Sequence, residues 1–221
     1  TWVKVDANSA GNDHAGILSR LGTAESGEYG YLLGITFNDS FGEPYPDFEN
    51  YINFSVQDNS GVTYHHHSDF GLEFNQWYHI TGTYDGLMSH LYINGVEQGT
   101  GIELPELYNN DEFNTIIGKW RHDPDTGNNY PLEGSVDEVL IWSRALSQEE
   151  LLQSIYHEDY GLDDESLVGY WSFDDAPGSQ LIDLSGNENH GDINGAEWSN
   201  EVAIPGCSDE SASNYIEGTN T

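Results

Sequence analysis

"QWYHITGTYDGLMSHLYINGVEQG", residues 76–99, is the stretch on which the reading of the fold turns. Its first half alternates, with Tyr78, Ile80 and Tyr84 on one face, because successive side chains of an extended chain point to opposite sides. In its second half Asn94 and Gly95 stand between apolar residues. A two-residue hairpin wants that pair, since both turn positions take positive φ. Similar strand signals recur outward from this stretch. "YGYLLGITF" (29–37) is aromatic and β-branched, and "NYINFSV" (50–56) sets Tyr51, Asn53 and Ser55 against Ile52, Phe54 and Val56. "NTIIGKW" (114–120) and "GSVDEVLIW" (134–142) complete the set. Turn residues between these runs recur at the spacing of an all-β sandwich.

One helix is expected, in "LSQEELLQSIYHEDYG" (146–161). Ser147 followed three residues later by Glu150 is a capping box. Leu151, Leu152, Ile155 and Tyr156 then form an apolar stripe, and Gly161 is placed to stop the helix. From Leu167 the strand pattern resumes as "LVGYWSFDD", followed by a Pro-Gly turn and "LIDLSGNENHGDINGAEW" (181–198). After Ile204-Pro205 the residues become small and polar, with little to build a core.

The chain has 221 residues, 36% hydrophobic and 13% aromatic, with 6 Trp and 14 Tyr. That composition supports a large core, either in one large sandwich or in two small domains. Five Lys+Arg against 39 Asp+Glu leave a net charge of −34. Such a chain repels phosphate, which excludes nucleic acid as a partner, and it is equally repelled by an anionic membrane surface. No apolar run reaches the length of a membrane span, so no membrane insertion is expected. The charge either attracts cations and suits a salty medium or serves solubility alone. The single cysteine, Cys207, has no internal disulfide partner. The chain opens "TWVKVD" with no initiator methionine and reads as cut from something longer, so the lack of a signal peptide says nothing about secretion.

"WYHITGTYDG", "LYINGVEQG", "IIGKW" and "LEGSVDEVLIWSRALSQEEL" occur in an order that resembles the laminin-G-like, concanavalin A-like jelly-roll domain of the bacterial, pentraxin-related type. The resemblance covers roughly Thr1 to Tyr156 and implies an all-β fold: a two-sheet antiparallel jelly-roll β-sandwich with one short helix. "TWVKVD" resembles the family's early strand, without the one or two strands that usually precede it. The expected organisation is a jelly roll over 1–162, a strand segment over 163–204, and the start of a short repeat or linker over 205–221. The segment from Leu167 resembles the lead-in of such a domain. It either completes its own sandwich, adds strands to a neighbouring copy, or opens a second repeat. "PGCSDESASNY" resembles a cysteine-bearing repeat of marine Bacteroidetes surface proteins, with Ser213 where the second cysteine usually stands. That resemblance implies an extracellular, cell-surface location.

Glycosidases of this fold carry Glu-x-Asp-x-x-Glu on one strand, because two carboxylates must flank the glycosidic bond. No such run is present. Asp137 and Glu138 are neighbours in "SVDEV", and adjacent strand residues are expected to face opposite sides. The chain is therefore expected not to be an enzyme. By resemblance, Asp137 is a candidate calcium ligand. In "DLSGNENHG" (183–191), Asp183, Ser185, Asn187 and Asn189 follow the 1-3-5-7 spacing of a calcium loop. Glu188 replaces the EF-hand glycine, however, and Asn194 replaces its bidentate Glu. The stretch is either a looser calcium site built from Asp183, Asn187 and a neighbouring carboxylate, with Asn189 a further candidate ligand, or an Asn/Gly turn. "YHHHSD" (64–69) lacks a third convergent zinc ligand and is read as an exposed hairpin. "KWRHDPDTGNNY" (119–130) is a polar loop carrying Trp120, Arg121, His122 and Tyr130. Ring faces and a guanidinium suit a glycan partner, so these four are the candidate carbohydrate-binding residues. Trp77 and Trp142 fall within strands and are read as core. The expected role is a calcium-stabilised, carbohydrate-binding or adhesion module; the alternatives are a structural subunit of a surface filament or layer assembled by strand exchange and, after it, a glycoside hydrolase of the same fold.

Overall fold

The computed structural model describes residues 1–7, 13–21, 29–37, 49–108, 114–120, 130–157, 160–174 and 178–203. By contacts the chain divides into two units: Val3–Val136, and Thr1–Trp2 with Asp137–Thr221. The strands in order are β1 (Trp2–Val5), β2 (His14–Leu21), β3 (Tyr29–Thr36), β4 (Tyr51–Gln57) and β5 (Thr63–His67). They continue with β6 (Trp77–Tyr84), β7 (Met88–Ile93), β8 (Val96–Glu103) and β9 (Ile116–Ile117). Then come β10 (Gly134–Asp137), β11 (Val139–Trp142), helix α1 (Gln148–Tyr156), β12 (Leu167–Trp171), β13 (Gln180–Leu181) and β14 (Gly191–Asp192).

Val3–Val136 holds most of two five-stranded sheets, ordered β10-β1-β6-β7-β8 and β5-β4-β3-β2-β9. The Asn94-Gly95 turn forms as expected, with φ of 50° and 76°, and pairs Ile93 with Val96. Asn94 also accepts the His79 amide through Oδ1 at 2.8 Å and donates its own amide to the His79 carbonyl at 2.7 Å, tying the turn back to β6. Both sheets contribute to one core, with Val3, Ile80, Leu91 and Ile93 meeting Ile17, Ile35, Ile52 and Val56. Each such side chain contributes roughly 1.5–3 kcal/mol by leaving water.

Two expectations change here. "YHHHSD" does belong to a hairpin, as β5 paired antiparallel with β4, but it is not exposed throughout: His66 turns inward, 4% exposed, with Nε2 2.8 Å from Ser89 Oγ. Alternation in β5 sends the middle histidine to the core and its neighbours to the opposite face. Trp77 is only half buried, under the Lys4 ammonium at 5.8 Å from its ring centroid.

In the other unit β11 pairs antiparallel with β12, and β13 with β14. The segment from Leu167 thus pairs with strand Val139–Trp142 of its own chain. Ser147 and Glu150 close the capping box of α1, and Leu151 and Ile155 form its buried face. The helix ends at Tyr156, with His157 extended, well before Gly161. Arg144 lies over the half-buried Trp142 ring and reaches Glu150 (2.8 and 3.1 Å) and Asp164 (2.7 Å). No helix among the described residues is long and apolar enough to cross a membrane.

Candidate functional site

Strand β4 alternates as its sequence requires, yet both of its faces are buried. Ile52, Phe54 and Val56 enter the core. Tyr51, Asn53, Ser55 and Gln57, on the other face, are 1–5% exposed. Buried polar groups must be hydrogen-bonded, and here the bonds run sideways across four strands. His14 Nδ1 on β2 lies 3.3 Å from Thr36 Oγ1 on β3, which accepts from Asn53 Nδ2 at 3.1 Å. Ser55 Oγ donates to Asn53 Oδ1 at 3.4 Å and lies 2.8 Å from His65 Nδ1 on β5. The result is a polar chain, His14–Thr36–Asn53–Ser55–His65, on the face of the sheet away from the core.

Rings stand at both ends of this chain. Trp120 and Tyr130 lie 5.6 Å apart, and each meets His14 edge-on, at 4.8 and 5.4 Å. At the far end His65 and His67 stack at 6.3 Å, with Tyr51 edge-on to His67 at 5.2 Å. His14 is buried, whereas Trp120 and Tyr130 are half exposed. Burial lowers the His14, His65 and His67 pKa values, the last to about 4, so these imidazoles are neutral at pH 7.

The Trp120–Tyr130 pair is placed by backbone. The Tyr130 carbonyl accepts the Gly16 and Trp120 amides at 3.1 and 3.2 Å, and Lys119 bridges to Pro131. A Cβ on Gly16 would overlap the Trp120 backbone nitrogen, so β2 can approach this loop only through glycine. Tyr130 takes φ 33°, a left-handed conformation uncommon for a tyrosine. Held strain of this kind clusters at binding sites. Of the four expected glycan-binding residues, Trp120 and Tyr130 come together, while Arg121 and His122 lie outside the described residues. So does Cys207. Sequence reasoning missed His14, Thr36, Asn53, Ser55 and His65. The available signal was the Asn-x-Ser alternation of β4, which reads equally well as a solvated face.

The expected calcium residues fall in two places. Asp137 Oδ1 accepts the Glu138 amide at 3.0 Å, and Oδ2 accepts the Ala203 amide at 3.0 Å. Glu138 sits at φ 49°, which breaks the strand alternation between β10 and β11. Asp137 and Glu138 both line one cavity, with Asp174, Trp2 and Ser154. At about 80 Å³ that cavity is far below the roughly 300–1,000 Å³ of ligand pockets.

Asp183 is 5% exposed and accepts four hydrogen bonds, all at 2.9 Å. Tyr170 N and Ser185 N donate to Oδ1; Ser185 Oγ and Asn189 N donate to Oδ2. Burial pushes its pKa up, but these donors outweigh it and hold the carboxyl below its usual value. The Asn187 and Asn189 amides donate to carbonyls of β12. As arranged, both Asp183 oxygens accept hydrogen bonds and the two Asn side chains act through Nδ2. Among the described residues no three His, Cys, Asp or Glu side chains form a group able to hold a metal ion.

The profile of the concanavalin A-like lectin/glucanases superfamily matches residues 1–152. The chain belongs to that superfamily. Among solved structures, this superfamily member is similar to a proposed carbohydrate binding protein from Bacteroides ovatus, with a TM-score of 0.63 and 22% identity. The match covers 86% of this chain and 49% of that one, so the chain spans about half the length of its relative. It is also similar to a heptameric SAP-like pentraxin from Limulus polyphemus, with a TM-score of 0.47 and 15% identity over 69% of this chain and 65% of that one. At 22% identity the likeness to the Bacteroides ovatus protein shows the fold alone. No curated protein sequence matches this superfamily member.

Proposed function

We propose that the chain is a non-catalytic carbohydrate-binding module of an extracellular protein. One observation carries the reading: two half-exposed rings, Trp120 and Tyr130, stand at the end of a polar chain that crosses four strands. Sugars present C–H faces to aromatic rings, which Trp120 and Tyr130 supply, and the buried chain that starts at His14 underlies the pair. The superfamily contains lectins as well as glucanases, and the relative from Bacteroides ovatus supports the same reading. The small volume of the cavity lined by Asp137 and Glu138, about 80 Å³, supports a non-catalytic role, because substrate pockets are usually several times larger.

The test is titration calorimetry against a panel of soluble polysaccharides, with hydrolysis assayed alongside. Trp120→Ala weakens binding about tenfold or more, since losing a ring contact of about 1.4 kcal/mol has that effect. Unchanged affinity in both Trp120→Ala and Tyr130→Ala removes the site, and release of reducing sugar removes the non-catalytic reading. Calcium stabilisation through Asp137 belongs to the same proposal. It predicts that EDTA lowers Tm in low salt for the unaltered chain but not for Asp137→Asn, and an unchanged Tm ends it.

A further inference from the structure

Among the described residues, strand β12 pairs with β11 alone. Its outward backbone groups, on Val168 and Tyr170, are met by the loop that follows β13 rather than by a third strand. Tyr170 N donates to Asp183 Oδ1 at 2.9 Å, and the Tyr170 carbonyl accepts the Leu184 amide at 2.8 Å. The Val168 carbonyl accepts Asn189 Nδ2 at 2.8 Å, Asn187 Nδ2 at 3.2 Å and Ser185 Oγ at 3.3 Å. Asn187 Nδ2 also reaches the Leu167 carbonyl at 2.8 Å, and Trp171 Nε1 donates to the Asn189 carbonyl at 3.2 Å. Carboxylate and amide side chains thus do the work of a neighbouring strand.

The strand beneath is one that needs covering. "LVGYWSF", Leu167–Phe173, carries no charge and no proline in a chain with 39 acidic residues. Windows that are apolar, β-prone and uncharged pair edge to edge when open. In a chain of net charge −34, self-repulsion keeps most surfaces of two copies apart. The strand segment itself carries none of that charge. Val168 and Leu184 are already 39% and 45% exposed beside it.

We infer that Asp183–Asn189 is an edge cap that blocks β12 from pairing with β12 of a second copy. The cap is local, so its loss opens the edge while β11, α1 and the two large sheets stay in place. Asn187→Ala with Asn189→Ala removes the amides from the Val168 carbonyl. Adding Val168→Glu puts a charge on the exposed edge itself. Sedimentation velocity over a hundredfold concentration range reads the outcome, with far-UV circular dichroism as the check on folding. The expected result is a monomeric parent, a double variant that associates with rising concentration, and a triple variant that is monomeric again. A folded double variant that stays monomeric overturns the inference. So does association that persists in the triple variant, because unfolding-driven aggregation is not cured by one surface charge.

Discussion

At Gly16 the absence of a side chain sets how closely β2 approaches the Lys119–Trp120 backbone. Gly16→Ala forces that backbone away, and overpacking of this kind costs about 1–3 kcal/mol. Calorimetry should show a lower Tm, and tryptophan emission should shift as Trp120 moves against His14. His66 is the other telling residue. Burial, with like-charge repulsion from His90 and His67, pushes its pKa down to about 4, against Glu97 acting the other way. The unfolded value is about 6.5, so between the two the unfolded chain binds more protons than the folded one. Stability then falls as pH drops from about 6.5 to about 4 and loses no more from this group below that. The loss from His66 is on the order of 3 kcal/mol. Denaturant melts at pH 7 and pH 5 check it, and His66→Gln, which cannot take up the proton, should show a flatter slope between them.

At the scale of elements, α1 is the part most completely legible beforehand. Ser147 and Glu150 satisfy each other's orphan amides through contacts three residues apart, so sequence spacing suffices. Ser147→Ala should cost about 1 kcal/mol, read as a lower denaturation midpoint with unchanged slope. The helix end was less legible. His157 leaves the helical conformation before Gly161 is reached, while Arg144 bonds both Glu150 in the first turn and Asp164 beyond the end. Those contacts hold the Glu150 and Asp164 pKa values at about 2, so this clamp persists in mild acid. Strand β4 shows the opposite case. Its alternation was plain, but nothing local distinguishes a polar face turned to water from one bonded to His14 and His65 on other strands.

For the whole molecule, charge is the dominant global term. A net charge of −34 opposes compaction, and salt screens it, with the Debye length falling from about 30 Å at 0.01 M to about 3 Å at 1 M. Potassium chloride should therefore raise Tm across that range, measured with EDTA present so that calcium plays no part. A Tm independent of salt would mean that the acidic side chains are too dispersed to repel one another.

By itself the sequence determined the elements and their class. Period-two alternation, the Asn94-Gly95 turn and the capping box are short-range effects of backbone geometry, and neighbouring residues settle them. It also marked Trp120 and Tyr130 as loop aromatics. Tertiary structure alone decided what three polar stretches do. Asn53 and Ser55 became links in a buried chain because β2, β3 and β5 align with β4. Asp137 and Glu138 both line one cavity, with Glu138 at a left-handed φ between two strands. Asp183, Asn187 and Asn189, spaced like ligands, bond the edge of β12 some 13 to 21 positions away in sequence. Carboxylates and amides bond any backbone group within reach, and only the fold brings the edge of β12 to these three.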